Sequence, residues 1–172
     1  MTRFMSAMDA LSEISGKLCA WGFFVLGLFV SYEVLMRDLF TMPTIWVDEV
    51  VRVMQVWLTY LATAYVLKHR EMITIDIAFR RHDTAMRRVV ETFAILFMLL
   101  FAGVAAWYGF QLWLKSTLAG HTTDSFLALP KWATHASVWV GMSLLGLQGL
   151  AEIVRIWTVG VPPPASQLGD EV

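Results

Sequence analysis

Apolar residues recur along this chain in four long runs separated by short polar stretches, and the lengths of those runs set the first expectation. A hydrocarbon core about 30 Å thick takes about 20 helical residues to cross. Leu18 to Met36, Val50 to Leu67, Thr92 to Leu114 and Trp132 to Ala151 approach that length with few formal charges. The pattern predicts an all-α integral membrane protein with transmembrane helices at about 18–36, 50–67, 89–114 and 132–152. Ahead of the first run, Phe4, Met8, Leu11, Ile14 and Leu18 fall at steps of three or four, with Arg3, Ser6, Asp9, Ser12 and Glu13 between them. That spacing predicts an amphipathic helix over 1–17, lying in the membrane interface before the chain turns inward. Asp9, Glu13 and Lys17, four residues apart, read as a solvated face whose members support one another across a turn.

The boundaries carry their own signals. Pro43-Thr44-Ile45-Trp46-Val47-Asp48-Glu49 is a polar hinge leading into the second run, which ends in Lys68-His69-Arg70-Glu71. Met72 to Phe79 alternates apolar and polar residues and is too short to span, so it reads as an extended connector or a short surface helix. Asp83 and Thr84 suit the N-terminus of the third helix and Pro130 the first turn of the fourth. Pro162-Pro163-Pro164 stops any further helix, leaving a flexible tail over 159–172. Leu18 to Val30 has the length of a secretory h-region, but no small-x-small cleavage site follows, so it reads as a permanent helix.

Composition agrees with a lipid solvent: 58% of the 172 residues are hydrophobic and 16% charged, against about 45–50% and 25% in soluble domains. A net charge of −1 supplies no basic field for nucleic acid. The lone cysteine, Cys19, lies in an apolar run and cannot form an intrachain disulfide. Cations concentrate between the second and third runs, at Lys68, Arg70, Arg80, Arg81, Arg87 and Arg88, whereas the 115–131 loop has only Lys115 and Lys131. By the positive-inside rule the connector is cytoplasmic, and with four crossings both termini lie on that side. Trp46, Trp113 and Trp132 then mark the outer interface, with Trp21 and Trp157 near the inner one.

Charges near the spans need partners. Glu33 stands four residues before Arg37, which predicts a pair at the interface or, alternatively, contact of Glu33 with another helix. Glu49, on the first turn of the second helix, is expected within salt-bridge reach of Arg37 or Arg52. Trp57, Trp107 and Trp139 fall near mid-span, where an indole N–H finds neither water nor headgroup, and so are expected inside the bundle or against another protein. Small residues four apart, Ala102/Ala106, Ala105/Gly109 and Ser137/Gly141, would let the third and fourth helices approach each other or another chain. A haem protein would need facing histidines, but His69 and His82 fall in the connector, His121 in a loop, and only His135 on a span. Enzyme motifs such as H-E-x-x-H, G-x-S-x-G or a P-loop do not occur, and no cofactor or metal is expected. The runs lack the interrupted helices, paired halves and mid-membrane polar groups of a self-sufficient transporter. A membrane redox protein and a small autonomous exporter therefore stand as the alternatives to a non-catalytic subunit.

Arg37 closing the first run, then Pro43-x-x-Trp46-x-x-Glu49, an apolar helix with Trp57, a basic turn and Ile73-x-Ile75-Asp76 resemble the small membrane subunit of tripartite ATP-independent periplasmic (TRAP) transporters, the DctQ-like family. Leu127-x-Leu129-Pro130-x-Trp132 is similar too, and the resemblance covers about residues 20–155. It implies a multi-pass protein of the bacterial inner membrane working with a large membrane subunit and a periplasmic substrate-binding protein. The large subunit would carry a small organic acid inward with sodium, and this chain would brace it and help form the docking surface. Arg37, Trp46, Glu49 and Asp76, by matching position, and Arg52 and Trp57 beside them are then candidates for holding the fold or the subunit contact. The family often has histidine directly before the Ile-x-Ile-Asp stretch; this chain has Met72 there, with His69 three residues earlier.

Overall fold

The computed structural model describes residues 2–69 and 85–160. These form four α-helices: α1 (Thr2–Asp38), α2 (Val47–Lys68), α3 (Ala85–Leu118) and α4 (Lys131–Thr158). The 72–79 connector, with Asp76, and the tail from 161 onward lie outside the described residues. Four helices are long and apolar enough to cross a membrane: 33 residues of α1 from Ser6, and 22, 34 and 28 residues in α2, α3 and α4. Each extends past its apolar run, because the flanking charges stay helical. Every last turn carries a cation, Arg37, Lys68, Lys115 and Arg155, which complements the partial negative charge of a helix C-terminus.

One expectation about α1 needs correcting. The chain does not turn between residues 17 and 18; α1 continues for 37 residues, about 55 Å at 1.5 Å per residue. Its first turns are held straight by side-chain bonds to α2 and α4. Lys68 Nζ reaches Glu13 Oε2 at 2.8 Å and the Asp9 carbonyl at 3.1 Å, Ser12 Oγ donates to Gln148 Oε1 at 2.8 Å, and Arg155 pairs with Asp9. The face read as solvated is thus a seam between helices, although the Lys17 to Glu13 contact at 3.6 Å is present too.

The helices stand in a row, α1, α2, α4, α3. Among the described residues, α3 approaches no helix backbone except that of α4, while α4 also borders α2 and, less extensively, α1. Burial follows from this order: nine residues of α4 are buried, against three in α2 and six in α3. Leu67, Ala102 and Leu145 form one core cluster with Met98 and Met142 against it, and Ile95 and Ile156 form another with Leu99 and Ile153. Small residues set the spacing. A Cβ on Gly109 would meet Val138 Cγ1 at 3.1 Å and Trp139 N at 3.3 Å, so α3 lies close on α4 there, whereas a Cβ on Gly141 would come within 2.6 Å of the Tyr60 backbone oxygen of α2. Gly141 therefore serves α2 rather than α3.

α3 ends in a glycine-capped turn. Gly120 takes φ +60°, and His121 N–H closes on the Ser116 carbonyl at 3.1 Å, satisfying a carbonyl the helix leaves open. The 119–130 loop then folds back on itself through Thr123 N–H to Leu129 O (2.8 Å) and Lys131 N–H to His121 O (2.9 Å). Pro130, extended at φ −66° and ψ 122°, caps α4 rather than lying in its first turn.

Candidate subunit-contact site

The hinge between α1 and α2 is built on a carboxylate near the end of the first apolar run. Glu33, with a nearly buried side chain, receives Arg37 Nη2 at 2.9 Å on one oxygen. Its other oxygen accepts the Thr44 N–H at 3.1 Å and the Thr44 hydroxyl. The expected Glu33/Arg37 pair is present, and it also pins the descending hinge. Arg37 extends a longer contact, 3.8 Å, to Asp48 on the first turn of α2. Trp46 sets its ring edge-on against Phe29 of α1, with centroids 5.9 Å apart.

Glu49 departs from expectation. It forms no ion pair with Arg37 or Arg52 among the described residues; Asp48 takes the contact with Arg37, and Glu49 Oε1 accepts the backbone N–H of Leu127 at 3.2 Å. The reason is tertiary: the folded 119–130 loop brings an amide over the start of α2. Glu49 Oε2 is shielded from water and has no donor among the described residues. Arg52 is exposed and lines, with Glu49, a cavity between α2, this loop and the start of α4. Trp57 Nε1 donates to the Ala133 carbonyl at 2.8 Å, locking α2 to α4. Trp139 packs against Phe110 and Trp113, and Trp107 is 62% exposed on α3, so two of the three mid-span tryptophans are internal and one faces outward. His135 Nδ1 is engaged by Ser116 Oγ at 2.7 Å. Arg37, Trp46, Glu49 and Arg52 thus gather at one end of the row, Trp57 lies within it, and Asp76 lies outside the described residues.

Sequence reasoning missed the seam at the opposite end. Arg155 joins Asp9 of α1 to Glu152 of α4 (Nη1 to Oε1, 2.6 Å), Gln148 Nε2 reaches Asp9 Oδ1 at 3.3 Å, and Trp157 Nε1 donates to Thr92 Oγ1 at 3.2 Å. Arg87 and Glu91 pair at 2.9 Å with side chains 4% exposed. The available signal was Gln148, four residues before Glu152 in an otherwise apolar run, and so one turn from it on the same face. Outward lie uncovered apolar faces: on α3 Phe93, Phe97, Leu100, Phe101, Val104 and Tyr108 are all more than half exposed.

Comparison with known proteins decides what kind of molecule carries this arrangement. The family model for tripartite ATP-independent periplasmic transporters, DctQ component, matches residues 26–159, most of the chain. The chain belongs to the DctQ family. A relative, the isethionate TRAP transporter permease protein DctMQ of Oleidesulfovibrio alaskensis, is 29% identical over 115 residues, 65% of this chain but 18% of that protein. The chain therefore spans under a fifth of that relative's length. As a DctQ family member with four spanning helices it is a TRAP transporter membrane subunit and a multi-pass protein of the bacterial inner membrane. The match begins at residue 26, so the seam residues Asp9, Ser12 and Glu13 precede the matched segment while Gln148, Glu152 and Arg155 fall inside it.

Proposed function

We propose that this DctQ chain is the non-translocating small subunit of its transporter. It braces a larger membrane subunit and helps dock a periplasmic binding protein during sodium-coupled uptake of a small organic acid. The observation that carries the reading is the similarity to a permease protein in which the matching segment is 18% of the length. Such a protein joins a segment like this one to a much larger partner covalently. The open row of helices supports it. Among the described residues, α3 borders α4 alone and leaves an aromatic stripe, Phe93, Phe97, Phe101 and Tyr108, more than half exposed, the kind of surface that fits another membrane helix as well as lipid. The mid-membrane polar side chains offer a solute little, because they bond their own helices: Thr63 Oγ1 to the Tyr60 carbonyl and Ser143 Oγ to the Trp139 carbonyl.

In this reading both termini face the cytoplasm, and the end with Arg37, Trp46, Glu49 and Arg52 faces the periplasm, within reach of the binding protein. Asp76 remains a contact candidate on the cytoplasmic side, and Trp57 acts by holding α2 to α4. Purification of the tagged chain from native membranes in mild detergent tests the central part. A much larger multi-spanning protein should co-elute; a clean, stable monomer contradicts the reading.

A further inference from the structure

α2 turns its polar side chains outward. Its exposed residues are Asp48, Arg52, Gln55 and Thr59, and every apolar side chain from Val47 to Leu67 is buried or half-buried. α1 and α3 do the reverse, exposing Leu18, Phe24 and Leu28 on one and Phe97, Phe101 and Val104 on the other. Steps of four, three and four residues place the α2 side chains in one line along the helix. At 1.5 Å per residue the line reaches Thr59 about 13.5 Å past Val50, near the middle of the 50–67 run. Lipid does not suit such a line. Arg52 by itself reaches headgroups along its aliphatic stem, but Gln55 and Thr59 carry the line deeper, where hydrocarbon offers an amide no partner. The Thr59 hydroxyl donates to the Gln55 carbonyl at 2.7 Å, and Asp48 has Arg37 at 3.8 Å. The Gln55 side-chain amide and the Arg52 guanidinium have no hydrogen-bond or ion-pair partner among the described residues. Water at that depth needs a protein wall to keep it from the lipid, and this chain leaves the line exposed.

We infer that this line is a contact surface for a transmembrane helix of the larger membrane subunit, one that sets a carboxylate beside Arg52 and an amide or hydroxyl beside Gln55. The inference rests on the proposed bracing role and adds to it the face and its chemistry. Charge complementarity selects the carboxylate, because Arg52 is a cation on this face with no counter-ion among the described residues. Depth excludes a second copy of this chain. Two copies paired about an axis normal to the membrane keep each residue at its own level, so Arg52 would meet Arg52. Polar contacts of this kind fix the register of one helix on another, which the apolar faces of α1 and α3 leave loose.

Purification of the tagged full chain from native membranes, with the co-eluting larger protein quantified, tests this. Gln55→Leu exchanges an exposed amide for an apolar side chain. A line in contact with lipid gains from that change, whereas a line in contact with a polar helix loses its partner, so recovery of the larger protein should fall about tenfold. Arg52→Glu should lower it at least as much, by setting like charges against each other. Both side chains are exposed, so the thermal midpoint of the isolated chain should hardly move, which separates lost contact from lost fold. A photoreactive benzoylphenylalanine at position 55 should crosslink to the larger protein. Unchanged recovery in either variant, or a crosslink from position 55 only to lipid or to a second copy, overturns the inference and leaves the bracing role standing. An unaltered chain that elutes without a larger partner overturns both.

Discussion

Glu33 and Glu49 show how far a single acid can be read from its neighbours in the chain. Glu33 found the cation one turn away because both share one helix, and the spacing alone fixes that geometry. Glu49 did not, because its partner is the Leu127 amide, 78 positions on, delivered by a loop whose fold no local pattern encodes. Two predictions belong at this scale. Thr44→Val removes the hydroxyl that binds Glu33 but keeps the N–H contact, so it should lower the thermal midpoint of the purified chain by a few degrees, whereas Thr41→Val, whose hydroxyl reaches only the adjacent Phe40 carbonyl, should leave it unchanged. Arg155→Ala strips the nearly buried Glu152 of a charged donor and removes the cation paired with Asp9. It should destabilise by about 2 kcal/mol, measured by thermal unfolding in detergent, and clearly more than Lys17→Ala, whose exposed ammonium makes a 3.6 Å contact.

Among the elements, α4 is the keystone, since each of the other three helices rests on it. Its glycines separate packing from propensity. Gly141→Val forces a side chain into the Tyr60 backbone and should cost about 1–3 kcal/mol or more through overpacking. Gly146→Ala meets open space and exchanges a poor helix former for the best one, a gain of up to about 1 kcal/mol in the isolated chain. Chemical or thermal unfolding of the two variants side by side checks the contrast; equal losses would show that Gly141 is not at a close approach. The existence and order of the four helices were legible in the apolar runs, because the bilayer thickness demands their length. Which helix borders which was not. The membrane runs of α1 and α3 are apolar all round, so periodicity gave no direction there, and Gly141 could be assigned to a close contact but not to α2. The unbroken course of α1 was hidden for a related reason: Asp9 and Glu13 look solvated in one dimension and are bridged to α2 and α4 in three.

At the scale of the whole molecule, an open row of helices spends less of its apolar surface on itself than a closed bundle would. The aromatic face of α3 is therefore the region where truncation should leave the chain's own fold intact. Replacing Leu100, Phe101 and Val104 together with alanine should cut recovery of the large partner several-fold in co-purification, with little change in the thermal midpoint of the isolated chain. A partner yield that is unaffected would move the contact to α1. The charged ends were partly legible, since the resemblance pointed to the hinge; the inner seam was not, because Asp9 lies 139 and 146 positions from Gln148 and Arg155. The most direct measurement of the central claim is solute uptake into proteoliposomes under a sodium gradient, prepared with this chain alone, with the large membrane subunit alone and with both, each with the binding protein outside. The account predicts no uptake with this chain alone and full uptake only when both membrane subunits are present; uptake driven by this chain by itself would contradict it.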